Sequence, residues 1–410
     1  MKATTYCVKG ILLFIFSLSA YSCQRNTGEY IVSIEGERLD SGNHIVSFML
    51  PDSASGGFYA LEDQQGKEHK LQVNPNGRAW AIINGLNNNK KLNLVRKEER
   101  PVSEGIEYNE AEGLITFSKK GQPIFSYRKE GQLPDADIDS VYLRGGYIHP
   151  VYTPSKKIIT DDYAKNHLHH HGIWTAWTKT IFEGRTPDFW NMGDKTGKVA
   201  FVSVDSFFQG SVLAGFSAKH RYVDLSAPEP KTAINETWNV QVYNVGGGDE
   251  QNYFLFDINI TQTCASSSSL ILPTYRYGGL GFRGREEWNG EENTIFLTSE
   301  GKDRSNGHAT TARWCHIGGL AEGKLAGITI MSHPDNFRAP QPMRIHPTEP
   351  FFNFAPSQAG DWSINPGETY RAKYRFVVYD GEPDTTLIEN LWTDYAQPLK
   401  VVVSEATTSK

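Results

Sequence analysis

The sequence predicts an all-β protein in which a small β-sandwich precedes a large two-sheet sandwich. Glycine, proline and aromatic residues are abundant, with 38 Gly, 20 Pro, 19 Tyr, 21 Phe and 9 Trp among 410 residues, which is typical of a turn-rich globular protein. Short apolar or alternating segments recur along the chain between clusters of Gly, Pro, Asp and Asn, as expected for antiparallel strands. The one amphipathic helical pattern of note is the short stretch 385–395.

The first 22 residues have the pattern of an export signal. Lys2 and Lys9 precede an apolar run at 11–16, and small residues follow up to Cys23. This arrangement resembles a bacterial lipoprotein signal peptide, in which Cys23 carries the lipid. Cleavage after Ser22 without lipidation is the alternative. We therefore expect a cell-envelope protein held at the membrane through lipidated Cys23, and the lack of an acidic run after Cys23 favours the periplasmic side over the cell surface.

Two β units are expected after the signal. Residues 23–100 contain the strand-like segments of the small β-sandwich, and the polar stretch 96–104 is the best candidate for a linker. Residues 101–400 contain enough further strands to require a barrel, a propeller or a large sandwich, because sheet edges must be protected. No repeat at propeller spacing is visible, which favours the sandwich. Residues 401–410 are expected to be a tail.

The charge balance and the glycine pattern exclude two classes of ligand. With 41 Lys and Arg against 47 Asp and Glu, the net charge is −6, so no basic field is present to hold a nucleic acid. Glycines at 279, 281 and 284 spell the dinucleotide fingerprint, but the helix that must follow it is missing. We expect no nucleotide cofactor. The segment is interpreted as a loop that presents Tyr275, Tyr277, Arg283 and either Glu286 or Glu287.

Two cysteines remain after the signal and its cleavage site. Cys264 and Cys315 lie in strand-like segments. An oxidising compartment permits a disulfide between them, but two buried thiols are equally compatible with their surroundings. Two cysteines are too few for a Cys-based zinc site.

Histidine gives the strongest chemical signal. Ten of the 12 histidines lie between His149 and His346, and four of them crowd into residues 167–171. If that segment is extended, His167, His169 and His171 share one face. A His-x-His pair on a strand is half of a metal site, so His167 and His169 are candidate ligands for a divalent metal. The candidates for a third ligand are His149, His316, His333 and Asp335.

The same cluster has two other interpretations. Histidine titrates near neutral pH and can donate or accept a proton during catalysis. Several of the rings are alternatively hydrogen-bonded structural groups. Aromatic residues nearby suit a carbohydrate cleft, because flat rings stack on sugars while polar side chains bind hydroxyl groups. We expect Trp174 and Trp177 to pack in the core and residues 188–190 to lie at the rim.

Five segments together resemble a bacterial family once labelled methane oxygenase-related and now of unknown function. These segments are residues 146–154, 167–177, 188–190, 332–336 and 366–381. The family pattern Asp-His-Pro-His-His-Arg-Gly is matched by His167, His169 and His170, whereas Asn166, Leu168 and His171 depart from it. The resemblance implies a galactose-mutarotase-like supersandwich, a fold that commonly pairs a histidine acid with a carboxylate base. Candidates for that base are Glu286, Glu287 and Asp335.

These expectations combine into an envelope lipoprotein that acts on a carbohydrate by hydrolysis, elimination or epimerisation at a sugar ring. The expected catalytic residues are His149, His169, His170 and His333. The expected substrate-binding residues are Arg144, Trp190, Tyr277, Arg283 and Asn336. Two alternatives stay open: a non-catalytic glycan-binding lipoprotein, and a metal-dependent enzyme acting on a substrate other than a sugar.

Overall fold

A computed structural model describes residues 29–35, 40–54, 57–86, 90–99, 104–246 and 252–406. The expected export signal, Cys23 and residues 100–103 of the expected linker lie outside these ranges. The described chain forms 26 strands, one α-helix and five short 3-10 helices, so the all-β prediction is confirmed. None of the helices in these ranges has the length and apolar character needed to cross a membrane.

The elements alternate with short loops along the whole chain. The strands are β1 Tyr30–Glu35, β2 Asp40–Met49, β3 Phe58–Glu62, β4 Glu68–Val73, β5 Arg78–Leu86, β6 Lys90–Lys97, β7 Ile106–Ala111, β8 Leu114–Lys119, β9 Gln122–Arg128, β10 Tyr147–Val151, β11 Ile173–Ala176, β12 Ile181–Phe182, β13 Gly197–Phe208, β14 Leu213–Asp224, β15 Lys231–Tyr243, β16 Tyr253–Cys264, β17 Leu270–Leu272, β18 Gly279–Arg283, β19 Ile295–Thr298, β20 Trp314–Ala321, β21 Lys324–Ser332, β22 Met343–Ile345, β23 Phe351–Phe354, β24 Trp362–Ile364, β25 Tyr370–Asp380 and β26 Lys400–Glu405. Helix α1 spans Thr385–Ala396, and the 3-10 helices span Asp52–Ala54, Ser140–Tyr142, Met192–Asp194, Glu286–Trp288 and Pro356–Ala359.

The N-terminal strands form one seven-stranded sheet in the order β2-β5-β4-β3-β6-β1-β26. Its apolar side chains enclose their own core, which includes Val32, Phe48 and Leu94. The last strand comes from the other end of the chain: Val401 pairs with Ile34 in antiparallel register. The expected tail from residue 401 is therefore wrong for residues 401–405, because alternating valines complete the edge of this sheet.

Two eight-stranded sheets form the large sandwich. The front sheet has the order β22-β23-β18-β11-β10-β9-β8-β7, and the back sheet has the order β13-β14-β15-β16-β25-β21-β20-β19. Aromatic contacts join them, with ring centroids 5.7 Å apart for Phe117 and Phe216 and 4.9 Å apart for Phe125 and Phe256. Both sheets contribute to one continuous core, as stacked sheets do when alternate residues point inward.

Part of the outer face of the back sheet is also covered. Leu255 and Val377 point outward and pack with Ile388 and Leu391 of α1 and with Ile82 of the N-terminal sheet. The helix begins where the sequence predicts, because the Asp384 side chain accepts hydrogen bonds from the first free backbone N–H groups. Helix α1 and the N-terminal sheet thus cover the outer face around β16 and β25, whereas alternate residues of β14 and β15 remain exposed. The site described below lies on the front sheet.

Two glycines of the dinucleotide fingerprint, Gly279 and Gly281, lie within strand β18, and Gly284 directly follows the strand. Gly281 is required there by packing, since a Cβ atom at this position would meet Trp190 at 2.8 Å and Trp174 at 2.9 Å. The expected glycine-shaped loop is therefore a buried strand of the front sheet. Cys264 and Cys315 are free thiols on different strands of the back sheet, so the alternative without a disulfide is the one observed.

Candidate functional site

The histidine-rich segment lies at one end of the front sheet. It forms the loop between β10 and β11 and meets the end of β18 and the loop between β22 and β23. The strand register brings these parts together, because Ile173 pairs with Phe282 and Arg283 pairs with Phe351. Side chains that are far apart in sequence therefore converge at this end of the sheet.

The loop is a turn rather than an extended strand. The backbone N–H of His170 donates to the carbonyl oxygen of His167 at 2.8 Å, a spacing that sets residues i and i+3 side by side. The two rings stack, with centroids 4.7 Å apart and planes at 12°. The expected common face of His167, His169 and His171 is thus wrong, and His167 is paired with His170 instead.

Glu349 completes a group of three side chains that can bind a metal. Ligand atoms of His167, His170 and Glu349 lie within 4.8 Å of one another. The Nδ1 atom of His167 is 3.2 Å from Oε1 of Glu349, yet this buried nitrogen makes no hydrogen bond. The expected metal pair of His167 and His169 is corrected accordingly: His170 and Glu349 accompany His167, and His169 lies beside them.

Arg283 fixes the orientation of Glu349. Its guanidinium group is fully buried and donates to Oε2 of Glu349 at 2.6 Å, while Asn166 donates to Oε1 at 3.0 Å. Burial by itself raises the pKa of Glu349, but the contacts with His167 and Arg283 outweigh it and lower the pKa to about 2. The carboxylate is therefore ionised near neutral pH. Arg283, expected to bind substrate, supports Glu349 instead.

The imidazoles of His169 and His170 are neutral near pH 7. Burial, reinforced by neighbouring positive groups, lowers the pKa of His169 to about 4 and that of His170 far below its usual value. Burial also lowers the pKa of His346 to about 4, and its ring lies 6.4 Å from that of His167. A neutral imidazole offers a lone pair to a metal ion or can accept a proton.

We predict that the stability of the protein falls as the pH drops from about 6.5 to 4. Burial lowers the pKa of His149 to about 4 and that of His316 to about 3, whereas both titrate near 6.5 when unfolded. Between these values the unfolded chain binds more protons, so lowering the pH favours unfolding by up to about 1.4 kcal/mol per pH unit for each histidine. Urea unfolding across this range measures the slope. A His149→Asn variant should have a shallower slope, and a flat profile would contradict the prediction.

Two further histidines, His149 and His171, are held by hydrogen bonds to neighbouring side chains. His171 is completely buried, and its Nδ1 contacts Oδ1 of Asp162 at 2.7 Å, while the hydroxyl of Tyr147 donates to Oδ2 of Asp162 at 2.7 Å. His149 is held by a 3.0 Å hydrogen bond between its Nδ1 and the Thr160 hydroxyl. These contacts explain His149 and His171 as groups that fix the loop.

His333 and Asn336 do not belong to this site. They follow β21 of the back sheet, where the His333 ring packs against Tyr395 of α1 with centroids 4.8 Å apart. The amide of Asn336 bonds to the backbone of Lys373 in both directions, at 2.8 and 2.7 Å. Both side chains secure the end of a strand beside α1, so the structure does not bring them together with the histidine-rich loop as expected.

Arg144 is buried inside the sandwich rather than open to a substrate. It is 2% exposed and donates to the carbonyl oxygen of Thr175 at 2.7 Å. It interacts electrostatically with Glu236, itself 1% exposed. A side chain enclosed in this way cannot hold a hydroxyl group of a bound sugar, which corrects the expectation.

Trp190 is likewise a core residue. It is 1% exposed and packs against Trp174 and Tyr277, with centroids 5.0 and 5.3 Å away. The expected rim position of Phe189 and Trp190 is therefore wrong, whereas the expected burial of Trp174 and Trp177 is confirmed. Tyr277 is half-exposed and packs on Trp190, so its expected role in binding a ligand stays a prediction.

The three carboxylates expected as bases form surface ion pairs. Glu286 pairs with Lys165, Glu287 with Arg285, and Asp335 with Lys373. The sequence interpretation did not single out Glu349. A weak signal was present in the segment His346-Pro-Thr-Glu-Pro350, which places a carboxylate three residues after a histidine.

Comparisons with known proteins give a family of unknown function and leave the activity open. A family model described as a family of unknown function (DUF6807) matches residues 115–393. No curated protein is significantly similar to the sequence. Among solved structures, the chain is similar to the crystal structure of a protein in the glycosyl hydrolase family 38 from Enterococcus faecalis, at 9% identity and a TM-score of 0.41 over 93% of this chain. This chain covers 48% of that protein.

Proposed function

Because this chain belongs to the family of unknown function DUF6807, we propose its activity from the geometry of its own side chains. It is a metal-dependent enzyme that acts on a carbohydrate, and its metal ligands are His167, His170 and Glu349. The observation that carries the proposal is the convergence of these three ligand atoms within 4.8 Å.

The distances suit a bound ion after small side-chain rotations. Zinc lies about 2.1 Å from nitrogen and oxygen ligands, so ligand atoms around a tetrahedral ion are roughly 3.4 Å apart. The separation of 3.2 Å between His167 and Glu349 already meets this requirement. Two imidazoles and one carboxylate favour a divalent transition metal such as zinc, manganese or iron.

The side chains around the three proposed ligands have the roles that neighbouring residues have in metal sites. The hydrogen bonds from Arg283 and Asn166 hold the Glu349 carboxylate, as outer-shell partners do in metalloproteins. Three protein ligands leave coordination positions open, where an ion acts as a Lewis acid on a substrate oxygen. The neutral ring of His169 lies 4.7 Å from that of His170. It is the group that would accept or donate a proton of the substrate next to the metal site.

Partly exposed aromatic and amide groups support a carbohydrate as substrate, and Trp190 links them to the triad of His167, His170 and Glu349. Tyr277 contacts Tyr275, with ring centroids 4.9 Å apart, and Asn191 bonds to the hydroxyl of Tyr277 at 3.2 Å. Tyrosine faces stack on sugar rings while amides bind hydroxyl groups. The reaction is hydrolysis, elimination or epimerisation at a ring carbon.

The proposed setting is the cell envelope. It is supported by the sequence pattern of residues 1–23, in which an apolar run and small residues precede Cys23. Lipidation of Cys23 would anchor the protein at the membrane, on its periplasmic side.

The test combines metal analysis with an activity screen. A chelator removes metal from the purified protein, which is then reloaded with one equivalent of zinc, manganese or iron. The loaded and metal-free proteins are incubated with oligosaccharides, and the products are separated by chromatography and identified by mass spectrometry. We expect near-stoichiometric binding of one metal and conversion of a glycan only by the loaded protein. Undiminished conversion by the stripped protein would reject the metal. Glycan binding without conversion, unchanged in His170→Ala, would favour the non-catalytic binding protein. Stoichiometric metal binding without binding or conversion of any oligosaccharide would favour a metal-dependent enzyme that acts on a substrate other than a sugar.

A further inference from the structure

A large open cleft lies beside Tyr275, and several basic side chains and one carboxylate, Glu300, line it. Its volume is about 1410 Å³, and its lining includes Lys179, Arg276, Lys302 and His308. The chain as a whole has a net charge of −6. A concentration of positive side chains in one cavity is therefore a local feature that overall composition does not explain.

These basic groups lack acidic partners. In the described part of the chain, no carboxylate lies at ion-pair distance from Lys179, Arg276 or Lys302. Arg313, which also lines the cleft, differs because Glu389 neutralises it through contacts of 2.8 and 3.0 Å. The uncompensated charge is thus concentrated at the first three side chains.

Arg344 connects the cleft to the triad. Its Nη1 lies 3.4 Å from Nε2 of His308, and among the described residues it too has no carboxylate at ion-pair distance. On β22, Met343 and Ile345 are buried while Arg344 is half-exposed, so Arg344 and His346 share the opposite face. The His346 ring lies 6.4 Å from His167.

The positive groups repel one another in a partly desolvated place. Burial, and after it the charge of Arg276, lowers the pKa of Arg344. Burial and then the charges of Arg344 and Arg276 lower the pKa of His308. Like charges held together in this way are stabilised when an anion binds between them.

Aromatic rings lie next to the same charges. The guanidinium of Arg276 is 5.8 Å from the ring centroid of Tyr275 and 5.7 Å from that of Tyr277. Tyr275 lines the cleft, and Tyr277 packs on Trp190, whose ring is 6.4 Å from His170. A path of aromatic contacts therefore runs from the basic cleft to the metal ligands.

We infer that the cleft binds an acidic glycan, with Arg276 and Arg344 holding a carboxylate or sulfate group while a sugar ring lies on Tyr275 and Tyr277. Arginine forms paired hydrogen bonds with both oxyanions, and the tyrosine faces accept the apolar side of the sugar. The inference rests on the proposed function and specifies its substrate class.

Calorimetry with four probes tests this inference on the metal-loaded protein. The probes are a uronic-acid oligosaccharide, a sulfated oligosaccharide, a neutral oligosaccharide of the same length, and inorganic sulfate. At least one acidic oligosaccharide should bind at least tenfold more tightly than the neutral one, and which of the two binds identifies the anion. Arg276→Gln and Arg344→Gln should each weaken that binding about tenfold, since a hydrogen bond to a charged group is lost.

Arg221→Gln is the matched control, because Arg221 is an exposed arginine on β14 of the back sheet and the same charge is removed. It should leave binding unchanged. Equal affinity for neutral and acidic oligosaccharides, or full affinity in both arginine variants, would overturn the acidic substrate while leaving the proposed function intact. Tight binding of acidic glycans by a protein that takes up no metal would support the cleft and reject the metal-dependent function. Binding of inorganic sulfate without binding of any oligosaccharide would overturn the acidic glycan and also the carbohydrate substrate of the proposed function.

Discussion

Replacing Glu349 with glutamine should lower the affinity of the protein for its metal at least 100-fold. Removing an outer-shell partner of a metal site already costs 10–100-fold in affinity, and this change removes a ligand. Glutamine keeps nearly the same shape but has no negative charge and only one oxygen. Elemental analysis of the purified variant and calorimetric titration with zinc or manganese measure the loss.

The same variant should also be less stable. Arg283 is completely buried, and Glu349 accepts its hydrogen bond at 2.6 Å. Without the carboxylate, the guanidinium charge is left without its counter-ion, and breaking a buried ion pair costs about 3–5 kcal/mol. The loss applies to the metal-free protein, so urea unfolding in the presence of a chelator separates it from the metal effect.

Glu286→Gln is the matched control for Glu349→Gln. Glu286 carries the same charge, but its side chain is 56% exposed and pairs with Lys165 on the surface. Exposed pairs of this kind contribute little to stability, so metal affinity and unfolding should match the parent protein. Retention of a stoichiometric, tightly bound metal in Glu349→Gln would show that Glu349 is not a ligand.

Replacing Glu236 with alanine should destabilise the sandwich by about 3–5 kcal/mol, the cost of removing one partner from a buried charged network. The Glu236 carboxylate accepts hydrogen bonds from Thr175, Tyr222 and Gln262 at 2.7–3.0 Å, and it contacts Nδ1 of His220 at 2.8 Å. All these groups are buried, so each loses a partner that water cannot replace.

Arg144 should increase the loss of stability caused by Glu236→Ala. Its buried Nε and Nη1 atoms have no hydrogen-bond partner, and the charge of Glu236 stabilises its cation. Urea unfolding of Glu236→Ala measures the total effect, and a double-mutant cycle with Arg144→Met isolates the coupling between the two charges. Glu107→Ala, an exposed position on β7, should change stability by less than about 0.5 kcal/mol. A loss below 1 kcal/mol for Glu236→Ala would contradict the structural role.

The position of the site could be predicted from the sequence more readily than its ligand set. The crowding of histidines at 167–171 identified the loop, and two of the three triad members were among the candidates. Glu349 was missed because Asn166, beside the histidines, and Glu349 are 183 residues apart. The pairing of β18 with β11 and β23 brings the histidine-rich loop and Glu349 together. No local sequence pattern indicates this strand register.

The errors about Trp190, Arg144 and His333 have a related cause. Aromatic, arginine and histidine side chains serve in cores and in sites alike, so residue type alone does not tell which face of a sheet they occupy. Trp190 fills the space left by the missing side chain of Gly281, and His333 packs under α1 on the outer face of the back sheet. Only the stacking of the sheets distinguishes these positions.

The sequence by itself determined the all-β class, the helix predicted at 385–395 and the histidine-rich segment, because alternation, helical periodicity and clustering are local properties of the chain. The tertiary structure decided that β26 completes the edge of the N-terminal sheet, that His170 and Glu349 join His167, and that Arg344 meets His308 at the cleft. These features depend on contacts between distant segments, whose register is set by the packing of whole sheets.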